Sequence, residues 1–376
     1  MSPRGTGPRA LYLHVPFCST RCDYCAFHSL AGRSAEAMGR VTAATLGDID
    51  RLASWMPTIE TIYVGGGTPT ALPDALLLSL VRRPIEFGAQ PREITVEANP
   101  ESCPPPLLDS LASSRVTRLS IGVQTLEPAA ARGLGRRLTS SEEVATIRRA
   151  WPGILSVDLI HGAPGSTTDG FRASIETLIE LGVDHFSIYG LGVEPDTPLF
   201  HRVREERLHL PEPDDWQEIV RLVTGSGLRR YEVSSFGRPA AESLHNDVYW
   251  SADHYLGLGP SAVSTLELDG RVVRITQPAD HARFIARSHP FDAEREPLSK
   301  ADRRLEYAML GLRRRAGIRL EPLTGGRTAA QNEALLASIS SLCANGLLVH
   351  EGQTVRPTDR GMDLLNQVIN RLNIDT

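Results

Sequence analysis

The sequence predicts an α/β protein with a parallel sheet, followed by a smaller C-terminal domain of helices and a short hairpin. First, short apolar runs alternate with longer amphipathic stretches from residue 10 to about 235. Second, polar, proline-containing loops follow several of these runs, as they do at the carboxyl edge of a parallel sheet. Third, the alternation fades after residue 236, and residues 297–376 show a different pattern.

Seven apolar runs are candidate strands, and helical stretches separate them. Residues 73–87 and 167–182 carry apolar side chains at helical spacing. A closed eightfold barrel, a shortened open barrel and a doubly wound sheet all fit this alternation. The candidate strands are ALYLHV (10–15), TIYV (61–64), EITVEA (93–98), VTRLSIG (116–122), ILSVDLI (154–160), HFSIYG (185–190) and RRYEVS (229–234).

The tail of the chain predicts a separate, winged-helix-like unit. Residues 299–315 and 329–345 predict two helices, residues 347–361 contain a hairpin, and residues 361–372 predict a last helix. We therefore predict three parts: a barrel over residues 1–240, a connecting segment over 241–296 and a C-terminal domain over 297–376.

Composition and charge exclude several classes of protein. The 40 basic and 45 acidic side chains give a formal charge of −5, which argues against a nucleic-acid partner. No apolar run approaches the roughly 18 residues that span a bilayer, and the N-terminus shows no secretory signal. We expect a soluble cytoplasmic protein with no membrane span.

Three of the five cysteines lie within eight residues, directly after the first candidate strand. Their spacing is Cys18-x3-Cys22-x2-Cys25, in the segment HVPFCSTRCDYCAFHS. Thiolates suit iron–sulfur clusters or zinc, and three cysteines on a [4Fe–4S] cube would leave one iron open. Zinc would need His14 or His28 as a fourth ligand. A third interpretation is three unliganded thiols, which would oxidise readily.

The triplet, followed by GGGTPT after the second strand, resembles the radical S-adenosylmethionine (SAM) superfamily. More narrowly, the ordered motifs over about residues 10–265 resemble its HemN/HemW-like branch. That branch contains oxygen-independent coproporphyrinogen III oxidases, haem chaperones and HemN-like class C methylases and cyclopropanases. The resemblance implies a partial (β/α)6-type barrel with a HemN-type C-terminal domain. The motifs are YLHVPFCSTRCDYC, IYVGGGTPT, VEANPES, RLSIGVQT, VDLIHGAPG, YEVSSF and LHNDVYW.

The resemblance also implies cofactors and partners. Cys18, Cys22 and Cys25 would hold a [4Fe–4S] cluster whose open iron is chelated by SAM. An electron, supplied by a flavodoxin or ferredoxin, would then split SAM into methionine and a 5′-deoxyadenosyl radical. The branch also implies a second SAM and a small-molecule substrate.

Further site residues carry over position by position from the family. Tyr12 would contact the cluster-bound SAM, Glu97 its ribose and Arg136 its carboxylate. The glycines Gly65, Gly66 and Gly67 would leave room for its methionine end. The residues matching the second-SAM site are Gly66, Thr68, Gln124, Asp158 and Val263.

Several residues differ from the family patterns, and these differences help to distinguish between the activities of the branch. Phe27 stands where coproporphyrinogen oxidases carry a further cysteine, which argues against that activity. The segment HNDVYW (245–250) matches a haem-chaperone signature and implies His245 as a haem ligand. The alternative is that His245 and Asn246 fix a loop by hydrogen bonds. Ala26, Leu138 and Val263 depart from the chaperone pattern.

The resulting hypothesis is a HemN-like radical SAM enzyme. It would use a second SAM to methylate or cyclopropanate an sp2 carbon of a small natural-product substrate. The alternative hypothesis is a HemW-like chaperone that binds haem and delivers it to target proteins.

Overall fold

A computed structural model describes residues 7–211 and 215–374 of the chain. The first six residues of the predicted barrel part and the last two of the predicted C-terminal part lie outside the described residues. The same holds for residues 212–214.

The first half of the described chain alternates strands and helices, as the sequence predicts. The elements are β1 (Ala10–Val15), β2 (Phe17–Cys18), β3 (Leu30–Ala31), α1 (Ala35–Arg51), β4 (Thr61–Gly66), α2 (Asp74–Glu86), β5 (Glu93–Ala98), α3 (Pro105–Ser113), β6 (Arg118–Gln124), α4 (Pro128–Gly133), α5 (Ser141–Ala150), β7 (Ile154–His161), α6 (Thr168–Glu180) and β8 (His185–Gly190).

The middle of the chain contains short helices and a run of mostly antiparallel strands. The elements are α7 (Pro198–Arg204), α8 (Trp216–Gly225), β9 (Arg229–Arg230), β10 (Ser235–Gly237), α9 (Leu244–Trp250), β11 (Tyr255–Leu258), β12 (Val263–Leu268), β13 (Arg271–Thr276), α10 (His281–Ala286) and β14 (Glu294–Pro297).

The C-terminal part has helices and a three-stranded antiparallel sheet. The strands pair in the order β15-β17-β16, and side chains of this part form their own apolar core. The elements are α11 (Lys300–Gly311), β15 (Ile318–Arg319), α12 (Glu321–Thr324), α13 (Ala329–Ala344), β16 (Leu348–Glu351), β17 (Thr354–Pro357), α14 (Asp359–Asp363) and α15 (Leu365–Arg371).

The main sheet has the order β14-β13-β12-β11-β1-β4-β5-β6-β7-β8-β10-β9. Strands β1, β4, β5, β6, β7 and β8 stand side by side in chain order, and all these neighbours pair in parallel. A doubly wound sheet would reverse its strand order at a switch point, and these six strands do not. The predicted fold class, an α/β protein with a partial parallel barrel, is confirmed.

The predicted strand over residues 229–234 is different in the structure. Residues 229–230 form β9 and residues 235–237 form β10, and β10 pairs antiparallel with β8. The parallel series therefore ends at β8. On the other side of the sheet, β11 pairs in parallel with β1. The segment 241–296 thus contributes β11 to β14 to the main sheet, and the predicted three-part division stays a prediction.

The two faces of the parallel strands differ in chemistry. One face carries apolar side chains that pack under the helices, such as Ile62, Val64, Ile94 and Val96, all buried. The opposite face is polar and includes Thr61, Glu93, Thr95, Glu97, Arg118, Ser120, Ser156, Asp158, His185 and Ser187. Paired register keeps these polar positions in rows, for example Glu97 opposite Ser120 and Asp158 opposite Ser187. The polar face therefore lines a cavity rather than a close-packed apolar interior.

None of the helices in the described ranges is long and apolar enough to span a bilayer.

Candidate functional site

A cavity of about 580 Å3, here called the cysteine cavity, lies at the carboxyl edge of the parallel strands. The loops after these strands meet there because all the strands run in one direction. Ten of the fourteen site residues singled out in the sequence line this cavity. They are Cys18, Cys22, Cys25, Gly66, Gly67, Thr68, Glu97, Gln124, Arg136 and Asp158.

Cys18 ends the short strand β2, and Cys22 and Cys25 lie on the loop that follows it; all three are half-buried free thiols. Burial raises the pKa of the Cys25 thiol. Asp23 holds the loop through an ion pair with Arg202, at 2.7 Å, and through backbone hydrogen bonds with Leu134 and Leu199. The loop is thereby fixed against the rim of the sheet.

Two of the thiols receive hydrogen bonds from the rim. Thr68 Oγ1 donates to Cys18 Sγ at 3.7 Å, and Arg136 Nη1 donates to Cys22 Sγ at 3.4 Å. Asn99 joins the two donors, because its Nδ2 donates to Thr68 Oγ1 at 3.0 Å and its Oδ1 accepts from Arg136 Nη2 at 2.8 Å. The five side chains form one continuous network.

The donor set fits a cluster better than a single ion. Within the described ranges, no group of three or more His, Cys, Asp or Glu side chains converges to hold one metal ion. A [4Fe–4S] cube binds each cysteine thiolate at a different iron, so the three cysteine sulfur atoms need not meet at one point. The thiols also face an open cavity, which leaves space for a further ligand.

The glycine turn after β4 fits tightly between neighbouring side chains. Gly66 has φ +112°, and a Cβ there would lie 2.4 Å from the His14 ring. A Cβ on Gly67 would lie 2.5 Å from the carbonyl oxygen of Phe17. Gly65 does not line the cysteine cavity, and a Cβ there would lie 2.8 Å from the Glu97 carboxyl.

Glu97 fixes this turn from the neighbouring strand β5. Its Oε2 accepts a hydrogen bond from the Gly66 amide at 2.8 Å, and its Oε1 accepts one from Tyr63 Oη at 2.7 Å. Burial raises the pKa of Glu97 despite these two donors. The carboxyl therefore lies in the cavity wall with a role in local structure that the sequence does not indicate.

Asp158 lies on the polar face in β7, and Gln124 is the last residue of the neighbouring strand β6. Burial, with the Glu97 carboxyl as a second cause, raises the pKa of Asp158 to about 7. Ser120 Oγ lies 3.4 Å from its Oδ2. Gln124 has φ +64° at a register shift between β6 and β7, a backbone conformation that costs free energy and is frequent at functional sites.

Sequence reasoning missed several residues of this cavity. Asn99 lies in the quoted motif VEANPES but carried no assigned role, and its position on the rim loop after β5 was the available signal. Arg118, His185 and Asn246 also line the cavity. Arg118 is buried, its Nε donates to Glu93 Oε2 at 3.2 Å, and its Nη1 has no hydrogen-bond partner among the described residues.

Tyr12 and Val263 are placed at a different cavity, here called the second cavity, of about 650 Å3. It lies between the strands β1, β11, β12 and β13 and the helix α11. Tyr12 Oη lies 2.9 Å from His14 Nδ1. The predicted SAM contacts of Tyr12 and Val263 stay predictions, and the structure does not bring these side chains together with the other ten.

His245 lines neither cavity. Its Nδ1 lies 2.9 Å from Thr61 Oγ1, and its Nε2 lies 2.9 Å from Tyr249 Oη. Burial lowers the pKa of His245 to about 3, so the ring is neutral at pH 7. With both ring nitrogens engaged, the geometry favours the hydrogen-bonding interpretation of HNDVYW, and the haem-ligand role stays a prediction.

An open parallel barrel that presents three thiols and a glycine turn at its carboxyl edge is the arrangement of a radical SAM protein. The sequence profile of the radical SAM superfamily matches residues 12–178, and that of the HemN C-terminal domain matches residues 298–364.

The relatives narrow this class to a branch. The heme chaperone HemW of Lactococcus lactis is 30% identical over 98% of this chain and 98% of its own length. HemW of Mycobacterium tuberculosis is 33% identical over 99% of this chain and 96% of its own. The solved structure of coproporphyrinogen III oxidase (HemN) from Escherichia coli shares the fold, with a TM-score of 0.79 and 21% identity over 98% of this chain and 90% of that one. The chain belongs to the HemN/HemW-like branch of the radical SAM superfamily.

Membership of the superfamily implies a [4Fe–4S] cluster and SAM as cofactors. It also supports enzymatic activity, since radical SAM enzymes generally act on a small molecule with electrons from a donor. The relatives that match this chain over 96–98% of their own length are named heme chaperone HemW.

Proposed function

We propose that this protein is a HemW-like haem chaperone that keeps a cluster- and SAM-binding cavity. One observation carries the proposal: relatives named heme chaperone HemW match 96–99% of the chain, including both the barrel and the C-terminal part. The exposed Phe27 side chain, at the position where the oxidases carry a cysteine, is a second reason to set porphyrinogen oxidation aside.

Cys18, Cys22 and Cys25 would hold the cluster in the cysteine cavity. When bound, the cluster supplies an electron to SAM. Hydrogen bonds to the sulfur atoms influence a cluster's reduction potential, and Thr68 and Arg136 are placed to donate them. The network through Asn99 keeps both donors in position.

Glu97 and Arg136 would position SAM in this cavity. Arg136 is a half-buried guanidinium whose Nε has no hydrogen-bond partner in the described ranges. A carboxylate would satisfy such a donor through a charge-assisted hydrogen bond. Gly66 and Gly67 have no Cβ to clash with the His14 ring and the Phe17 carbonyl, so the turn packs directly against the segment that carries Cys18.

Haem titration of the anaerobically reconstituted protein tests the proposal. We expect a Soret band whose intensity saturates at one haem per chain, and transfer of that haem to an apo-haemoprotein. Absence of saturable haem binding, in protein with full cluster iron, would reject the chaperone function.

A second candidate, methylation or cyclopropanation with two SAM molecules, has its own supporting observation. Gly66, Thr68, Gln124 and Asp158, which match the second-SAM set, line the same cavity as the three cysteines. Incubation with dithionite, SAM and candidate substrates would then give S-adenosylhomocysteine together with 5′-deoxyadenosine. Deoxyadenosine without S-adenosylhomocysteine, in a protein that transfers haem, would favour the chaperone.

A further inference from the structure

The second cavity exposes apolar surface that the described chain leaves uncovered. Phe27 is 70% exposed and Met309 is 46% exposed, and both are among its lining residues. Trp250, Val263 and Leu310 contribute further apolar lining. Exposed apolar surface in a concave region of this size is typical of a ligand site.

One part of the lining holds two arginines that share a single carboxylate, while the other acid of the lining, Asp253, pairs with Arg9. Arg274 Nη2 donates to Glu306 Oε1 at 2.6 Å, and Arg303 Nη1 donates to Glu306 Oε2 at 3.1 Å. Two guanidinium groups therefore share one carboxylate, and all three side chains keep partial exposure. A planar guanidinium matches a carboxylate in charge and in geometry.

Two histidines line the second cavity, and their ring nitrogens differ. His14 Nδ1 lies 2.9 Å from Tyr12 Oη, and His14 Nε2 lies 3.1 Å from the carbonyl oxygen of His28. His28 Nε2, in contrast, is buried and has no hydrogen-bond partner within the described residues. An unpaired buried nitrogen costs free energy, and coordination to a metal would recover it.

The second cavity also adjoins the cysteine cavity. Ala26 and Phe27, which directly follow Cys25, are lining residues of both. The loop that holds the thiols is thus a common wall of the two cavities.

We propose, on the basis of the chaperone function above, that the second cavity is where haem binds. The apolar walls would cover the macrocycle, Arg274 and Arg303 would meet the two propionates, and His28 would be the iron ligand. Haem combines these three features, an apolar plane, two carboxylates and an iron that accepts imidazole. His245, with both nitrogens engaged, has no part in this site.

The propionate contacts are tested by comparing hemin with hemin dimethyl ester, which lacks the two charges. The double variant Arg274→Gln/Arg303→Gln should bind hemin at least about tenfold more weakly than the wild type, and should bind the ester as the wild type does. The matched control is Arg83→Gln, at a partly exposed arginine on α2 that pairs with Asp50 at 2.6 Å, and this variant should bind hemin normally. Equal hemin affinity for the double variant and the wild type would overturn the proposal.

The iron ligand is tested by the Soret and visible spectra of the haem complex. His28→Ala should change the ligation spectrum and weaken binding, whereas Thr61→Val, which removes a hydrogen bond from His245, should leave the spectrum unchanged. A wild-type spectrum for His28→Ala, with an altered spectrum for His245→Ala, would overturn the assignment of His28.

A third variant, at a half-exposed position, should fold normally, so that a loss of haem affinity cannot be attributed to misfolding. Met309→Trp adds bulk at the cavity on a half-exposed helix position, and it should lower haem affinity with circular dichroism and cluster iron as in the wild type. Unchanged affinity would overturn the proposed location. Failure of the wild type itself to bind haem would instead reject the proposed function, so the two failures are distinguishable.

Discussion

The sulfur atoms of Cys18 and Cys22 are connected through the side chains of Thr68, Asn99 and Arg136. At the scale of single residues, this network is the strongest support for a common function of the loops after β1, β4, β5 and β6. It also explains why Asn99 matters, although no separate role for this residue was predicted from the sequence. The nitrogen of its side-chain amide donates to Thr68 and the oxygen accepts from Arg136, so one residue links the two donors to the thiols.

The first prediction concerns the three thiols. Replacing Cys18, Cys22 or Cys25 by alanine should abolish the cluster and all reductive SAM cleavage, because one corner of the cube would lose its ligand. Iron and sulfide content and 5′-deoxyadenosine formation measure the effect.

The matched control is Cys103→Ala, at a buried cysteine on the rim that lies outside the cysteine cavity. It should keep wild-type iron content. Full iron content in any of the three loop variants would contradict the cluster assignment.

The second prediction concerns Asp158 and pH. Burial raises its pKa from the usual 3.8 to about 7 in the folded chain, so the folded state holds the proton more tightly than the unfolded state. The stabilisation from this proton is complete below pH 3.8 and is lost as the pH rises through about 7. Asp158→Asn removes it.

Chemical denaturation of the cluster-free protein between pH 4 and pH 8 measures this linkage. The wild type should lose stability relative to Asp158→Asn as pH rises, by up to about 1.4 kcal/mol per pH unit. The histidines buried elsewhere contribute equally to both proteins and cancel in the difference. A difference independent of pH would show that the carboxyl ionises normally.

At the scale of elements, the strand β4 ends in a turn that only glycine accommodates at one position. Gly66 combines a positive φ with close packing against the His14 ring. The turn places the Gly66 amide on the Glu97 carboxylate of the neighbouring strand. Strand β4, strand β5 and the cysteine loop are therefore fixed relative to one another by a few short contacts.

The third prediction tests this turn. Gly66→Ala should destabilise the fold by about 2 kcal/mol or more, because it adds a Cβ clash to the conformational strain. Gly270→Ala is the control, since Gly270 has φ +76° and open space where its Cβ would lie.

Thermal unfolding of both variants separates the two causes. Gly270→Ala should lower the free energy of unfolding by about 1 kcal/mol, because it introduces only the conformational strain and no clash. Equal losses for the two variants would mean that packing against His14 does not contribute.

The predicted strand over residues 229–234 shows where the sequence pattern was a poor guide to an element. The stretch 229–234 has the composition of a strand, yet residues 231–234 lie between the short β9 and β10. Arg230 turns inwards there, where its guanidinium donates to the Val233 carbonyl and to Asp363. This ion pair joins residues that are far apart in the sequence, so the local pattern of residues 229–234 could not predict it.

At the scale of the whole molecule, the C-terminal part is attached to the barrel part by buried charge. Arg230 Nη1 donates to Asp363 Oδ1 at 2.8 Å, and their side chains are 1% and 14% exposed. Trp216 Nε1 donates to the same oxygen at 2.9 Å. The second cavity lies at the contact between these two parts, so its shape depends on their docking.

The fourth prediction addresses this docking. Asp363→Ala should cost about 3 kcal/mol, because it leaves the Arg230 guanidinium buried without its carboxylate partner. Asp359→Ala is the matched control, since Asp359 and its partner Arg315 are 62% and 50% exposed, and it should cost less than about 1 kcal/mol.

Urea unfolding measures the two costs, and limited proteolysis shows whether the C-terminal part detaches. The proposed haem site predicts that Asp363→Ala also weakens haem binding, while Asp359→Ala does not. Equal stability of the two variants would show that the buried pair does not hold the parts together.

The sequence by itself determined the local features of this protein. Strands β1, β5 and β8 begin and end where the apolar runs do, because alternating or continuous apolar patterns depend only on near neighbours. The cysteine spacing and the glycine turn are equally local, and the order of the motifs was enough for the superfamily and its branch.

Only the tertiary structure decided which of these residues meet. It joined ten predicted site residues in one cavity, placed Tyr12 and Val263 at another, and buried His245 with both ring nitrogens engaged. Contacts such as Arg136 to Cys22 span 114 residues of chain, and sequence spacing carries no information about them. The physical reason is that a cavity is formed by loops from different strands, whose meeting point depends on sheet order, register and the docking of the C-terminal part.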